Sequence, residues 1–443
     1  MLYLRKTTEN FTLIELMAVV TIIFILALTA QTFAASAGQQ EEVVIEFLSW
    51  SPIVNTTNKM IAATEAKYPG IKIKADITNY PEFLIDLKVR AASGNMPDII
   101  GLEPGALTQE YRDFLMPLQD YSKSFWGDNW QDKFYMIGIQ QARLGNPSGD
   151  ENIYGLPVLT QTINLWYTIP IYQEAGFEPP KTYNEWVTQA KYFRKKGIAP
   201  LMLGALDGWL NRDIYMQLIH NIAPGKIYKA EVGDAKFTDP EFVEAMKWWK
   251  RLFDDGIIQV GALGLTAYPG SMELIEGGRA ATFPMSSWWQ QQATRQNPPE
   301  LSAAMSGFTP FKFPDVTGNG APDDLLGGID VMIGISKDTK HPEEAFKVLA
   351  DWISGAGAQE LINTVNDLPA YKGLEPQQYA SEHQKAVWDL FTKKWMPNVK
   401  YARQLRDPAV KFALENALAA VAAGEMTPEA AMQSVQASWT MPK

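Results

Sequence analysis

Carboxylates and tryptophans are the residues of this chain that could do chemistry; its histidines are poorly placed for it. The sequence holds 50 Asp and Glu, 14 Trp and only three His in 443 residues. His220, His341 and His383 lie far apart and lack metal-ligand spacing. His341 precedes Pro342 at a predicted helix start, where a capping or surface role is expected. There is no cysteine, which excludes disulfides, cysteine–zinc sites, thiol nucleophiles and a lipidated N-terminal cysteine. No G-x-S-x-G elbow and no G-x-x-x-x-G-K-[ST] loop occurs. Gly318-Asn319-Gly320 and Gly327-Gly328 lack the strand-to-helix pattern of a phosphate loop and read as turns. A pair of carboxyl groups of the glycosidase kind stays open, although so many acids always offer pairs. No catalytic residue, metal site or cofactor is expected.

The aromatic surplus points instead to binding. An indole face packs against the apolar C–H face of a sugar, while nearby carboxylates and amides bond its hydroxyls. Trp186, Trp248, Trp352, Trp388 and Trp439 fall in helical patterns and are expected in the core. Trp50, Trp166, Trp209 and Trp288 have the better claim to a ligand wall.

The elements that must position these residues begin with a β-α-β-α-β order. Val43–Leu48 reads as a buried strand, and a helical stretch around Met60–Thr64 follows, closed by Pro69-Gly70. Ile71, Ile73, Ala75 and Ile77 alternate with polar residues as a second strand. A helix is predicted from Pro81 to Ala92, and a third strand starts at Asp98. This order implies a parallel sheet with helices on its faces. Ligands of open α/β sheets sit beyond the carboxyl ends of the strands, where Trp50 and Glu103 stand. Further on, Asn164–Tyr167 reads as a strand, and Thr182 or Asn184 can cap the helix that includes Trp186. Ile329–Ile335 returns to strand character. The last seventy-odd residues read as helices, including the alanine-rich stretch Phe412–Ala423.

Bulk properties set the frame. Length favours two lobes. Hydrophobic content of 46% and charged content of 20% fit a folded globular protein. A net charge of −11 repels phosphate backbones, so nucleic acid is not an expected partner. At the N-terminus, Arg5 and Lys6 precede an apolar run from Leu16 to Leu28, and Ala35-Ser36-Ala37 follows. These are the parts of a secretory signal peptide over residues 1–37. Phe11-Thr12-Leu13-Ile14-Glu15-Leu16 also resembles the start of type IV pilins, with Asn10 where those proteins have Gly. Residues 11–30 are long enough to serve as a retained anchor. Each version places the folded part outside the cytoplasm, in the periplasm or beyond the cell.

Ordered motifs after residue 42 resemble the bacterial extracellular solute-binding proteins, family 1, which serve ABC-type carbohydrate importers. Met96-Pro97-Asp98-Ile99, Tyr154-Gly155-Leu156-Pro157, Leu165-Trp166-Tyr167 and Ala175–Tyr183 are similar to its successive segments. So are Gly277–Thr282 with Trp288 and, near the end, Thr427-Pro428-Glu429-Ala430-Ala431. Ser286 stands where the family usually has Gly. The resemblance implies an α/β fold of the periplasmic-binding-protein type, two lobes with the solute in the cleft between them, and hinge closure on binding. It places residues 42–158 and 330–368 in the first lobe and 159–329 and 369–443 in the second. Thr160, Gly327 and Gly328 would lie in the hinge segments. Trp50, Glu103, Asn164, Trp166, Asp207, Trp209, Trp288 and Asp330 would bind the solute. The implied partners are a small solute, expected to be a carbohydrate, and the membrane subunits of an ABC permease, with the binding protein itself a monomer. A carbohydrate-active hydrolase, or the same fold holding a polyamine, an iron complex or an anion, are the alternatives.

Overall fold

The computed structural model describes residues 42–294, 307–319, 324–364 and 367–440. The expected signal segment lies outside them, as does Gly320.

The first lobe grows from β1 (Val43–Ser49), α1 (Val54–Lys67), β2 (Ile71–Ile77), α2 (Tyr80–Ser93) and β3 (Ile99–Leu102). β1 pairs in parallel with β2 on one side and β3 on the other, as the β-α-β-α-β order requires. Local signals set the helix ends. Asn79 caps α2 through Glu82 N at 3.1 Å, and Gly94 ends it in the left-handed region. The sheet is completed by strands from much later in the chain. They are β4 (Leu156–Thr162), β9 (Leu325–Ile335), β10 (Leu368–Pro369) and β11 (Val399–Ala402). The strand order is β10-β4-β9-β3-β1-β2, with β11 also paired to β9. β9 is central and buried along its whole length, as a strand covered on both faces must be.

The second lobe is built on a sheet ordered β6-β7-β5-β8. Its strands are β5 (Leu165–Thr168), β6 (Ala199–Leu201), β7 (Ala280–Phe283) and β8 (Phe308–Phe311). α3 (Tyr183–Lys195) packs on β6, and α4 (Gly208–Ile222), α5 (Pro240–Asp254), α7 (Pro408–Ala422) and α8 (Pro428–Ser438) pack on one another. α6 (Pro342–Ser354) belongs to the first lobe, where it packs on α1, β1 and β9. Thr182 is the cap of α3, in a reciprocal capping box with Glu185. His341 occupies the cap position of α6 but makes no capping bond with its side chain.

Two expectations need correction here. The C-terminal stretch is not wholly helical, because Val399–Ala402 forms β11 against Leu325–Gly327. Four residues are too few for a periodic pattern, and long-range pairing decides their state. Gly327-Gly328 is no turn; both residues lie inside β9, paired with Thr162 and Gln161 of β4. The lobe borders expected at 158/159 and 329/330 fall within β4 and β9, both strands of the first sheet; the chain leaves β4 for β5 of the second sheet and enters β9 after β8.

A buried acid sits away from the sheets. Glu231 Oε1 accepts from the backbone N–H of Arg406 at 2.6 Å and of Asp407 at 3.3 Å, just before α7. Its Oε2 has no partner among the described residues. Burial raises this carboxyl to about 7, and the two N–H bonds only partly oppose the rise. A folded-state value above the unfolded one means that this group's stabilising contribution is present at acid pH. It is lost as pH climbs through about 7. Glu231→Gln should therefore reduce the loss of stability between about pH 5 and about pH 8. Urea midpoints of the two proteins at both pH values check this; parallel pH dependence would refute it.

Candidate functional site

A cavity of about 720 Å³ is lined from both lobes. The first lobe supplies the carboxyl ends of three parallel strands: Trp50 after β1, Tyr80 after β2 and Glu103 after β3. This is the position at which open α/β sheets take ligands. The second lobe supplies Asp207 and Trp209 at the start of α4, with Tyr268 and Trp288 beside them. Asp330 of β9 and Arg403, directly after β11, also line it.

The aromatic rings form two groups. Trp50 lies edge-on to Tyr80 at 5.1 Å between centroids and against Phe83 at 4.9 Å. Across the cavity Trp209 runs nearly parallel to Tyr268, 13° between planes at 6.5 Å, and meets Trp288 edge-on at 6.0 Å. Trp288 Nε1 donates to the Tyr268 hydroxyl at 3.0 Å, so these rings hold one another in place. The Arg403 guanidinium stands 5.0 Å from the Trp288 ring and 5.4 Å from the Trp209 ring, within cation–π range of both.

Arg403 is also the electrostatic centre. Its Nε donates to Asp213 Oδ1 at 2.8 Å, and its terminal nitrogen lies 3.7 Å from Asp330 and 3.9 Å from Glu103. Burial works against its charge, but Asp213 and Glu103 outweigh burial and hold the guanidinium above its usual range. Glu103 accepts from the Tyr80 hydroxyl at 2.5 Å and from Gln404 Nε2 at 2.8 Å, with Lys411 Nζ at 3.5 Å. Burial would raise this carboxyl; Lys411, Arg403 and Arg212 overcome burial and keep it below the ordinary value. Lys411 moves down, because burial exceeds the attraction of Glu103. Asp207 is raised by burial, relieved in part by the N–H of Ala267, which it accepts at 2.7 Å. The charges on the wall are thus mostly matched within the protein, and the rings supply its apolar surface.

Trp50, Glu103, Asp207, Trp209, Trp288 and Asp330 all reach this cavity. Trp166 and Asn164 do not line it. Trp166 is fully buried on β5 between β7 and β8, and its Nε1 donates to the carbonyls of Ser286 at 2.6 Å and Met285 at 3.1 Å. An inner strand flanked on both edges makes its large residues core. Asn164 accepts from Thr162 Oγ1 at 3.0 Å and donates to Leu165 O at 3.1 Å, which uses the side chain locally. Tyr80, Tyr268 and Arg403 were not anticipated. The strand-end rule that finds Trp50 would also find Tyr80, whereas nothing near Arg403 in sequence marks it.

The expected hinge residues are tightly packed. Thr160 is buried in β4, its hydroxyl within 3.3 Å of the carbonyls of Leu368 and Pro369. Gly328 has φ +104°, and a Cβ there would come within 2.0 Å of Gln141 Oε1. Gln141 cannot simply give way, because its Oε1 accepts from Ile329 N at 2.9 Å. Gly328→Ala should cost about 2 kcal/mol or more of stability, from overpacking plus a disfavoured φ. Urea unfolding measures it, and a change under a few tenths would show that the strand relaxes freely.

Residues 50–360 match the family model described as bacterial extracellular solute-binding protein. The chain belongs to this family. A similar relative is a multiple sugar-binding protein of Streptococcus mutans, 25% identical over 368 residues, which are 82% of this chain and 83% of the relative. Among solved structures, a chitin oligosaccharide binding protein is 25% identical with a TM-score of 0.73, covering 90% of this solute-binding protein and 98% of that chain. A maltose-bound protein of T. maritima shares the fold at 17% identity and a TM-score of 0.72, over 89% of this chain and 98% of that one. As in the solved relatives, the architecture is mixed α/β in two lobes. Among the described residues, this solute-binding protein has no helix long and apolar enough to cross a membrane and no cluster fit to hold a metal ion.

Proposed function

We propose that this solute-binding protein takes up an uncharged oligosaccharide in the cleft and delivers it, by opening and closing of the lobes, to the permease of an ABC importer. The observation that carries the reading is the facing pair of aromatic groups, Trp50 with Tyr80 and Trp209 with Tyr268 and Trp288, over a hydrogen-bonding floor. Rings on opposite lobes can each take a sugar face, so the ligand itself favours closure. The sugar-binding names of the relatives support the same class of solute.

The floor argues against the other readings. Arg403 and Lys411 are unfavourable neighbours for a polyamine, and the acids around them are unfavourable for an anion. Glu103 and Asp330 both lie within 4 Å of Arg403, at 3.9 and 3.7 Å, and Asp207 accepts from the N–H of Ala267 at 2.7 Å, so the lining carboxyls named here are engaged within the protein rather than set as the acid and base of hydrolysis. The protein then acts as a carrier rather than an enzyme. We place it outside the cytoplasm as a monomer, exported by the N-terminal segment, with its lobes divided near β4 and β9.

A thermal-shift panel of maltose, raffinose, chitin oligosaccharides and spermidine, followed by calorimetry, tests the proposal. Ligand that binds only the folded protein raises its melting midpoint. A sugar should do so, with no product formed on prolonged incubation. A shift by spermidine alone would refute the proposal, and so would hydrolysis of the sugar.

A further inference from the structure

Two carboxyl groups lie at the floor of the cleft, and only one of them faces the cavity. Asp330 stands on β9 and lines the ligand space. Asp367 stands immediately before β10 and is wholly buried. Strand register brings them together: Ile329 of β9 and Leu368 of β10 both pair with Thr160 of β4, which runs between them. The two side chains meet over β4 in hydrogen-bond contact.

Ionised carboxylates only accept, so such a contact requires a proton. Asp367 Oδ1 is already occupied by the Ser287 hydroxyl at 2.9 Å and the Leu368 N–H at 2.8 Å. Its Oδ2 is buried and meets no donor among the described residues. A proton on Oδ2, donated to Asp330, satisfies both groups at once. Arg403 is the cation facing the pair, 3.7 Å from Asp330 Oδ1, while Glu103 and Asp213 are the other anions acting on it. Burial raises both acids: Asp330 to about 6, despite Arg403, and Asp367 further still, with Asp330 adding to its rise.

We infer that Asp367 is a positioning residue for solute binding, which holds one proton against Asp330 and so fixes the cleft floor as an acceptor carrying a single negative charge. This rests on the reading of the cleft as a saccharide site. With the proton in place Asp330 is anchored from behind and presents lone pairs to ligand hydroxyls. Losing it sets two buried charges in contact, with one shared cation to offset them, and Asp330 must swing away. Acquiring a second proton neutralises Asp330 and weakens it as an acceptor. Affinity should therefore peak while the pair holds one proton.

The test uses the full-length protein and the best-binding sugar among maltose, raffinose and chitin oligosaccharides. Calorimetric Kd values are measured from mildly acid to alkaline pH for wild type and Asp367→Asn, which keeps shape but removes the titration. Infrared spectra without ligand, taken for both proteins in a Glu231→Gln background that removes the other raised buried carboxyl, look for the carbonyl stretch of a protonated carboxyl. The expected result is that band in wild type at neutral pH, lost in D367N. Wild-type affinity should fall by up to about tenfold per pH unit where the pair ionises, the limit for one coupled proton, and D367N affinity should stay flat there. Parallel pH profiles in the two proteins would overturn the inference, as would the absence of the band in wild type. If D367N does not fold, the wild-type band must titrate together with wild-type affinity, and separate titrations overturn it. Failure of every sugar to bind while the band is present sinks the saccharide reading, and the inferred role in solute binding with it; the shared proton alone then stands.

Discussion

Arg403→Met should lower the unfolding free energy by about 3–5 kcal/mol near neutral pH. Methionine replaces most of the aliphatic volume, so the loss reflects charge rather than a large cavity. Arg403 is 5% exposed, and its guanidinium faces Asp213, Asp330 and Glu103 at 2.8, 3.7 and 3.9 Å. Removing it leaves Asp213, Asp330 and Glu103 without their shared partner, and Lys411, 3.5 Å from Glu103, and Arg212 offset only part of that buried charge. An unpaired buried charge is the costly outcome, much more so than the loss of the pair's own attraction. The deficit should shrink on acidification, because the orphaned carboxyls of Glu103 and Asp330 then take up protons. Urea unfolding at neutral and mildly acid pH measures both effects. A deficit under about 1 kcal/mol would mean that water reaches the site and screens these charges.

Trp209→Ala should weaken sugar binding by about 2 kcal/mol, roughly thirtyfold in Kd, with little change in stability. Trp209 is only partly buried and its ring lines the cavity, so truncation leaves no large hole in the core. It removes a face that a sugar ring would cover, and also the edge that keeps Trp288 upright. Trp209→Phe should restore part of the affinity through the smaller ring. Calorimetry on the three proteins decides it. Equal affinity in all three would remove the second lobe's rings from the binding surface.

How much of this was legible beforehand depended on how local the cause was. β1 to β3 and their helices followed from period and caps, and the parallel arrangement followed from their alternation. Trp50 and Glu103 could then be placed by rule, since the ends of such strands converge on one edge of a sheet. Trp166 failed under the same kind of reasoning because an aromatic residue on a short strand looks alike whether one or both sheet edges are occupied. Partners β7 and β8 come from residues after 279, and with Phe391, which packs on the indole, they make Trp166 core. Arg403 was invisible for a related reason. Its importance comes from Asp213, Glu103, Asp330 and two indole faces, drawn from four separate parts of the chain. Asp330 was found only because strand character around it was strong enough to suggest a crossing segment; its partner Asp367 carries no such context.

The central place of β9 has a consequence for how the molecule is made. It fits between β3 and β4, yet it is synthesised after every strand of the second lobe's sheet. Until Leu325–Ile335 emerges, β3 and β4 each have an open edge, and the first lobe cannot close its core. Folding must then await most of the chain and pair segments distant in sequence, which makes it slow. A nascent protein that delays collapse in this way stays threadable for longer, which suits passage through a membrane before the lobes form.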